Sequence, residues 1–259
     1  MIAPELIADA GSVDALSGVS GAILGLLACH AAHPSSDCLE RATWCGDEIL
    51  RRRDAAASSR EWSLTPGRAP ESGMAHGYSG VALALARLSH VTNDERYRDA
   101  ALDALARERT LMRAVPEPGR HALSWASGCV GVGLARLSMS ALIDDRELDD
   151  DLECALHAVC LALDAEGRDG VTSNDSLCDG RAGALEFLRL ASVQLSRPSL
   201  ADRAHALARA ISGNRDGAAS GLGWQHGYSH PGLMEGRAGI AYSLLRASVP
   251  SLPSVLVWL

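Results

Sequence analysis

Aromatic residues are scarce in this chain: one Phe, four Tyr and five Trp among 259 residues. Hydrophobic residues still make up 47% of it, so a sizeable core is available. That core has to be built mainly from Leu, Ala and Val, which suits packed helices. Basic clusters are almost missing. Arg51–Arg53 is the only basic run and the net charge is −8, whereas nucleic-acid binders usually carry a basic face. No nucleic-acid partner is expected, and the three arginines read as the solvated last turn of a helix. No apolar stretch approaches the roughly 20 residues needed to span a bilayer. The opening MIAPELIADAGS has neither a basic segment nor a long apolar one, so no signal peptide is expected. Seven cysteines, at 29, 38, 45, 129, 154, 160 and 178, form an odd set without a C-x-x-C pair, which argues against a disulfide framework or a zinc ribbon. Most lie in apolar helical stretches, where a free cysteine acts as a small hydrophobe. A reducing cytoplasm is the simplest location.

What the chain has is a repeat. Five times a short polar turn runs through a Gly-x-x-Gly pair into an apolar segment: Gly18/Gly21, Gly77/Gly80, Gly128/Gly131, Gly180/Gly183 and Gly236/Gly239. Successive first glycines are 59, 51, 52 and 56 residues apart. A self-similar unit at a near-fixed period is the signature of a repeat architecture, in which each unit buries its apolar face only by stacking on a neighbour. One domain over residues 1–259 is therefore expected.

Each unit reads as two helices. The first follows the glycine pair and is apolar on nearly all sides, over 22–28, 81–88, 132–137, 184–190 and 240–245, as a buried helix should be. The second is amphipathic: Cys38–Arg53, Glu95–Met112, Arg146–Leu163 and Leu200–Ile211 carry apolar residues at i, i+3, i+4 and i+7 with charges between. Pro and Gly in 63–73, 115–120, 165–175 and 212–223 stop the preceding helices. Buried helices alternating with half-exposed ones predict an all-α fold, an α/α toroid of about five helical hairpins. The glycine pairs then share one rim, where close approach and positive φ favour glycine. Inner-helix N-termini also point there, and their N–H groups favour anions, including thiolates.

The units differ beside the glycines. Asp14 lies four residues before Gly18, His76 just before Gly77, Trp125 three before Gly128, and Cys178 and Asp179 before Gly180. His226 and His230 flank the last turn and read as solvated loop histidines. Trp125 reads as a structural plug at the rim. Taken singly, Cys178 is as consistent with packing as with ligation, and His76 with a hydrogen bond inside its own turn.

At these residues the chain resembles the lanthionine synthetase C-like (LanC-like) cyclases, in particular the C-terminal cyclase domain of class II lanthipeptide synthetases. GMAHGYSGVALALARL (73–88) is similar to the family's His-Gly repeat and SWASGCVGVGLARL (124–137) to its Trp-Cys-x-Gly repeat. SLCDGRAGALEFL (176–188) is similar to its Cys-His-Gly repeat, and HPGLMEGRAGIAYSLLR with VPSLPSVLVWL to its closing repeat. The resemblance implies a toroid of about seven hairpins, of which this chain supplies five, starting at the third. A further chain supplying the missing repeats is one implied partner.

The resemblance also implies a zinc ion held by two Cys and one His, with a fourth position for a Cys thiolate of a precursor peptide. That thiolate adds to a dehydroalanine or dehydrobutyrine to close a thioether ring, which needs three protein ligands and one open position. Two of the three ligand positions are changed: the Cys of Trp-Cys-x-Gly is Ala126, and the His of Cys-His-Gly is Asp179. Cys178 is kept, so Cys178 and Asp179 are the candidate metal residues. Cys129 could substitute for the lost ligand only if its turn rearranged. His76 and Asp14 match the positions that move protons. Two readings stand side by side: a thioether-forming cyclase, and a metal-free peptide-binding pseudo-cyclase. An α/α-toroid glycosidase using Asp14 and Asp179 is a third, with few aromatic platforms to support it.

Overall fold

The computed structural model describes residues 7, 10–56, 62–114, 122–165, 174–213 and 231–258. Among these the chain is all-helical: α1 (Val19–Ala32), α2 (Ser36–Ala56), α3 (Tyr78–Thr92), α4 (Glu95–Ala114), α5 (Cys129–Met139), α6 (Arg146–Ala165), α7 (Arg181–Gln194), α8 (Pro198–Gly213) and α9 (Arg237–Ser248). Each odd-numbered helix up to α7 pairs with the helix that follows it. The odd-numbered helices also pack on one another in the order α1, α3, α5, α7, α9. This is the double layer of an α/α toroid, with inner helices side by side and outer helices as a jacket. No helix among the described residues is long and apolar enough to cross a membrane.

The inner layer is as apolar as its sequence. Every residue of α3 from Tyr78 to Ala86 is buried. The ends of the row differ, because an end helix has one inner neighbour instead of two: Cys29 on α1 is exposed, and Leu245 on α9 is 50% exposed. Beyond α9 the chain turns back to the middle of the row. The Trp125 indole N–H donates to the Leu256 carbonyl (3.0 Å), and the Trp125 and Trp258 rings lie 6.2 Å apart. Leu256 and Val257 are fully buried. Trp125 is thus the plug expected, seated against the C-terminal segment.

The glycine pairs act differently from the expectation of positive φ. The first glycine of each pair is the helix N-cap and is extended, with φ between −98° and −144°. The second lies in the first helical turn, so the helices start at the pair rather than after it. Its role is close approach. A Cβ on Gly21, Gly80, Gly131, Gly183 or Gly239 would come within 2.5 Å of the carbonyl oxygen of Ala15, Met74, Trp125, Leu177 or Leu233 respectively. In all five units that carbonyl belongs to the residue six positions earlier, so the turn folds back onto its own helix and only hydrogen fits between.

The charged residues are placed with equal economy. All 24 basic residues are arginine, the side chain whose planar fork suits buried ion pairs. Arg136 of α5 and Glu108 of α4 are both 0% exposed and meet at 2.7 Å. Arg136 Nε also reaches Asp151 of α6 at 2.9 Å. A second buried pair, Arg246 with Glu186 at 2.7 Å, joins α9 to α7.

Candidate functional site

The five turns before the inner helices are joined along the rim by backbone hydrogen bonds. The Leu16 N–H donates to the Ala75 carbonyl (2.9 Å) and the Ala75 N–H to Ala126 (3.0 Å). The Trp125 N–H donates to Cys178 (2.6 Å) and the Cys178 N–H to Met234 (2.8 Å). This belt ties each turn to the next and fixes which side chains become neighbours. The residue before each first glycine, one per turn, is Ser17, His76, Ser127, Asp179 or Glu235.

His76 and Asp14 meet across two turns. His76 Nδ1 lies 2.8 Å from Asp14 Oδ2, with Asp14 fully buried and His76 21% exposed. Asp14 is held by more than the histidine. Oδ1 accepts the Ser17 N–H (2.7 Å), and Oδ2 accepts the Thr65 hydroxyl (2.7 Å). Ser12 Oγ in turn lies 3.0 Å from Thr65 Oγ1. Burial is the largest single influence on Asp14 and opposes its charge. The hydrogen bonds from His76, the Ser17 N–H, Thr65 and Ser12 together outweigh it and hold the pKa at about 2, below the ordinary 3.8. A buried, ionised carboxylate on Nδ1 fixes the ring and leaves Nε2 for a substrate proton.

The depressed pKa of Asp14 has a consequence for acid stability. A carboxylate whose folded pKa lies below its unfolded value stabilises the fold above the unfolded value, and that contribution is lost as pH falls through the folded one. Between pH ~4 and ~2, Asp14 is therefore expected to withdraw up to about 2 kcal/mol. Urea unfolding of the wild type and Asp14→Asn across that window should converge toward pH 2, and a constant gap between them would contradict this.

Cys178 and Asp179 occupy the turn before α7. Cys178 is buried, and its thiol is pushed up to about 12, first by burial and then by the carboxylates of Asp179 and Glu235, against a backbone hydrogen bond from Ala126. The Ser124 hydroxyl donates to Asp179 Oδ1. Ala126 and Cys178 therefore face each other at the positions the resemblance assigns to two metal ligands, but the alanine brings no donor atom. Cys129 starts α5 behind the turn. Its thiol is pushed up to about 11 by burial, then by Cys154 and Glu108 of the outer layer. Among the described residues no group of three or more His, Cys, Asp or Glu side chains could hold a metal ion. Among the described residues, the matched positions supply Cys178 and Asp179 as donors, one short of the three protein ligands a catalytic zinc needs, and these residues alone do not fit the ion. His226 and His230 lie outside the described residues.

Sequence reasoning missed Thr65, Ser12 and Ser17 around Asp14, Ser124 on Asp179, and Glu235 among the charges acting on Cys178. Glu235 was within reach, since it holds the repeat position of His76 and Asp179. Thr65 carries no motif and arrives from a loop 51 residues away.

The family described as Lanthionine synthetase C-like protein matches residues 2–257. No curated protein matches the chain.

Proposed function

Because the chain belongs to the lanthionine synthetase C-like family, we propose that it binds a dehydrated precursor peptide across the glycine rim. There it adds a peptide cysteine thiol to a dehydroalanine or dehydrobutyrine. The observation that carries this reading is the His76–Asp14 pair, 2.8 Å apart with the carboxylate buried. His76 Nε2 takes the thiol proton as sulfur attacks Cβ of the dehydroamino acid. A C–S bond forms, the C=C π bond becomes an enolate, and the same proton returns to Cα. Nothing is oxidised and no group leaves. Asp14, ionised across the neutral range, stabilises the imidazolium between the two transfers.

In the family, zinc supplies Lewis-acid activation of the thiol. With Ala126 and Asp179 at two ligand positions, the reaction here runs on the chain's own residues. An incoming thiol also meets the carboxylates of Asp179 and Glu235, which disfavour a free thiolate just as they raise Cys178. Proton removal therefore has to accompany attack, which is the work of a base. The rest of the acceleration is positioning, since holding thiol and alkene together converts a bimolecular step into a unimolecular one.

The same two replacements favour a second reading, a binding module that holds the peptide without turning it over. Incubation of the full chain with a dehydrated, thiol-bearing precursor, followed by mass spectrometry after thiol alkylation, separates the two. Loss of alkylatable thiol in both zinc and chelator is the expected result. Peptide binding with every thiol still alkylated would leave only the second reading. Metal analysis of the purified protein is expected to give less than stoichiometric zinc, unchanged in Cys178→Ala. A full equivalent that disappears in that variant would overturn the metal-free step. Seven free cysteines suit a reducing compartment, and we place the reaction in the cytoplasm.

A further inference from the structure

The turn that carries His76 is built unlike its neighbours. In three other turns the residue four before the first glycine caps its own turn. Asp14 accepts the Ser17 N–H (2.7 Å), Ser124 the Ser127 N–H (3.0 Å), and Ser176 the Asp179 N–H (3.1 Å). At the equivalent place the His76 turn has Gly73, which has no side chain to offer. It cannot have one. Gly73 sits at φ +90°, and a Cβ there would lie 2.6 Å from the Ala126 carbonyl oxygen. The belt that joins this turn to the next requires the glycine and thereby removes the internal cap.

A carboxylate from the outer layer takes its place. Glu108 of α4 accepts the Gly73 N–H (2.9 Å) and the Ser79 N–H (3.0 Å) on Oε1, and the Ser79 hydroxyl (2.7 Å) on Oε2. Those two N–H groups bracket the turn, with His76 between them. Glu108 is held from behind by Arg136, whose Nη2 reaches Oε2 at 2.7 Å and whose Nη1 reaches Ser79 Oγ at 3.1 Å. Both charged side chains are fully buried, so the carboxylate has nowhere else to go.

We infer that Glu108, backed by Arg136, is the positioning residue that aims His76 at Asp14. The inference rests on the acid–base role given to His76 above, but its test does not depend on turnover. Asp14 belongs to one repeat and His76 to the next, so their bond holds only while the His76 turn keeps its place against the rim. Glu108 grips that turn at both ends from the outside. Replacing it with glutamine sets an amide NH₂ either against the Arg136 guanidinium or, with the amide turned, against the Gly73 and Ser79 N–H groups, donor against donor in both, and weakens the hold on the turn.

The readout is the ring nitrogens of His76 in the ¹⁵N-labelled full chain, in alkaline buffer. The wild type should show one tautomer, with the proton on Nδ1 facing Asp14. In Glu108→Gln the His76 signals are expected to move toward the average of two tautomers. Glu186→Gln, which breaks the other buried pair, should leave them in place. Should Glu108→Gln not fold, Ser79→Ala removes one arm of the clamp, is milder, and decides by the same signals. His76 signals that superimpose on the wild type in the folded variant overturn the inference, as does an equal shift in Glu186→Gln. A chain that forms no thioether but shows the Glu108-dependent shift would refute the proposed reaction and leave the positioning role standing.

Discussion

His76→Ala is expected to lower thioether formation by about 10²–10⁴-fold, the span over which a positioned acid–base group acts. The loss should fall on turnover rather than on peptide affinity, because the imidazole meets the substrate through a moving proton. Asp14→Asn should give a smaller loss, since the amide still occupies the site but can present its NH₂ to Nδ1 and favour the wrong tautomer. The double variant should be no worse than His76→Ala, because Asp14 acts only through the histidine. His76→Ala should keep the helical signal but lower the unfolding midpoint, because it removes the largest of the hydrogen bonds that offset the burial of Asp14. Single-turnover assays with a dehydrated precursor measure the first effect, and a variant with undiminished turnover would remove His76 from the mechanism.

Arg136→Ala carries the largest expected loss of stability, about 3–5 kcal/mol, because it strands the Glu108 carboxylate in the interior. Glu108 would keep its hydrogen bonds from Gly73 and Ser79 but lose its opposite charge. A paired replacement, Arg136→Met with Glu108→Gln, should recover much of that loss by removing both charges together. Urea unfolding of the three proteins makes the comparison. A cost for Arg136→Ala near that of an ordinary surface substitution would show that the pair does little for the fold. The effect should spread across layers, since Arg136 also bonds Asp151 of α6 and so ties α4, α5 and α6 together.

Much of this was legible in the sequence because it is local. The glycine pairs marked the five turns, and the apolar segments after them marked the inner helices, though the helices begin at the first glycine. The outer helices were bounded within a few residues by charge periodicity and by Pro and Gly. His76 and Asp14 stood out by repeat position and by resemblance, although they lie 62 residues apart. The role assigned to glycine was half right: close approach governs the second glycine of each pair and also Gly18, Gly77 and Gly180 among the first, but none of the pairs needs positive φ.

The sequence by itself determined the number of units, the order of their helices and the residues displayed on each turn, because spacing and side-chain type act over a few residues. Only the tertiary structure decided what those residues became. The backbone belt along the rim, the Thr65 hydroxyl on Asp14 and the Glu108 clamp on the His76 turn each join groups brought together by stacked layers. Their partners are 29 to 59 residues apart. No local pattern encodes such a pairing. It is fixed by which polar groups the packed helices leave buried, and by the cost of leaving any of them without a partner.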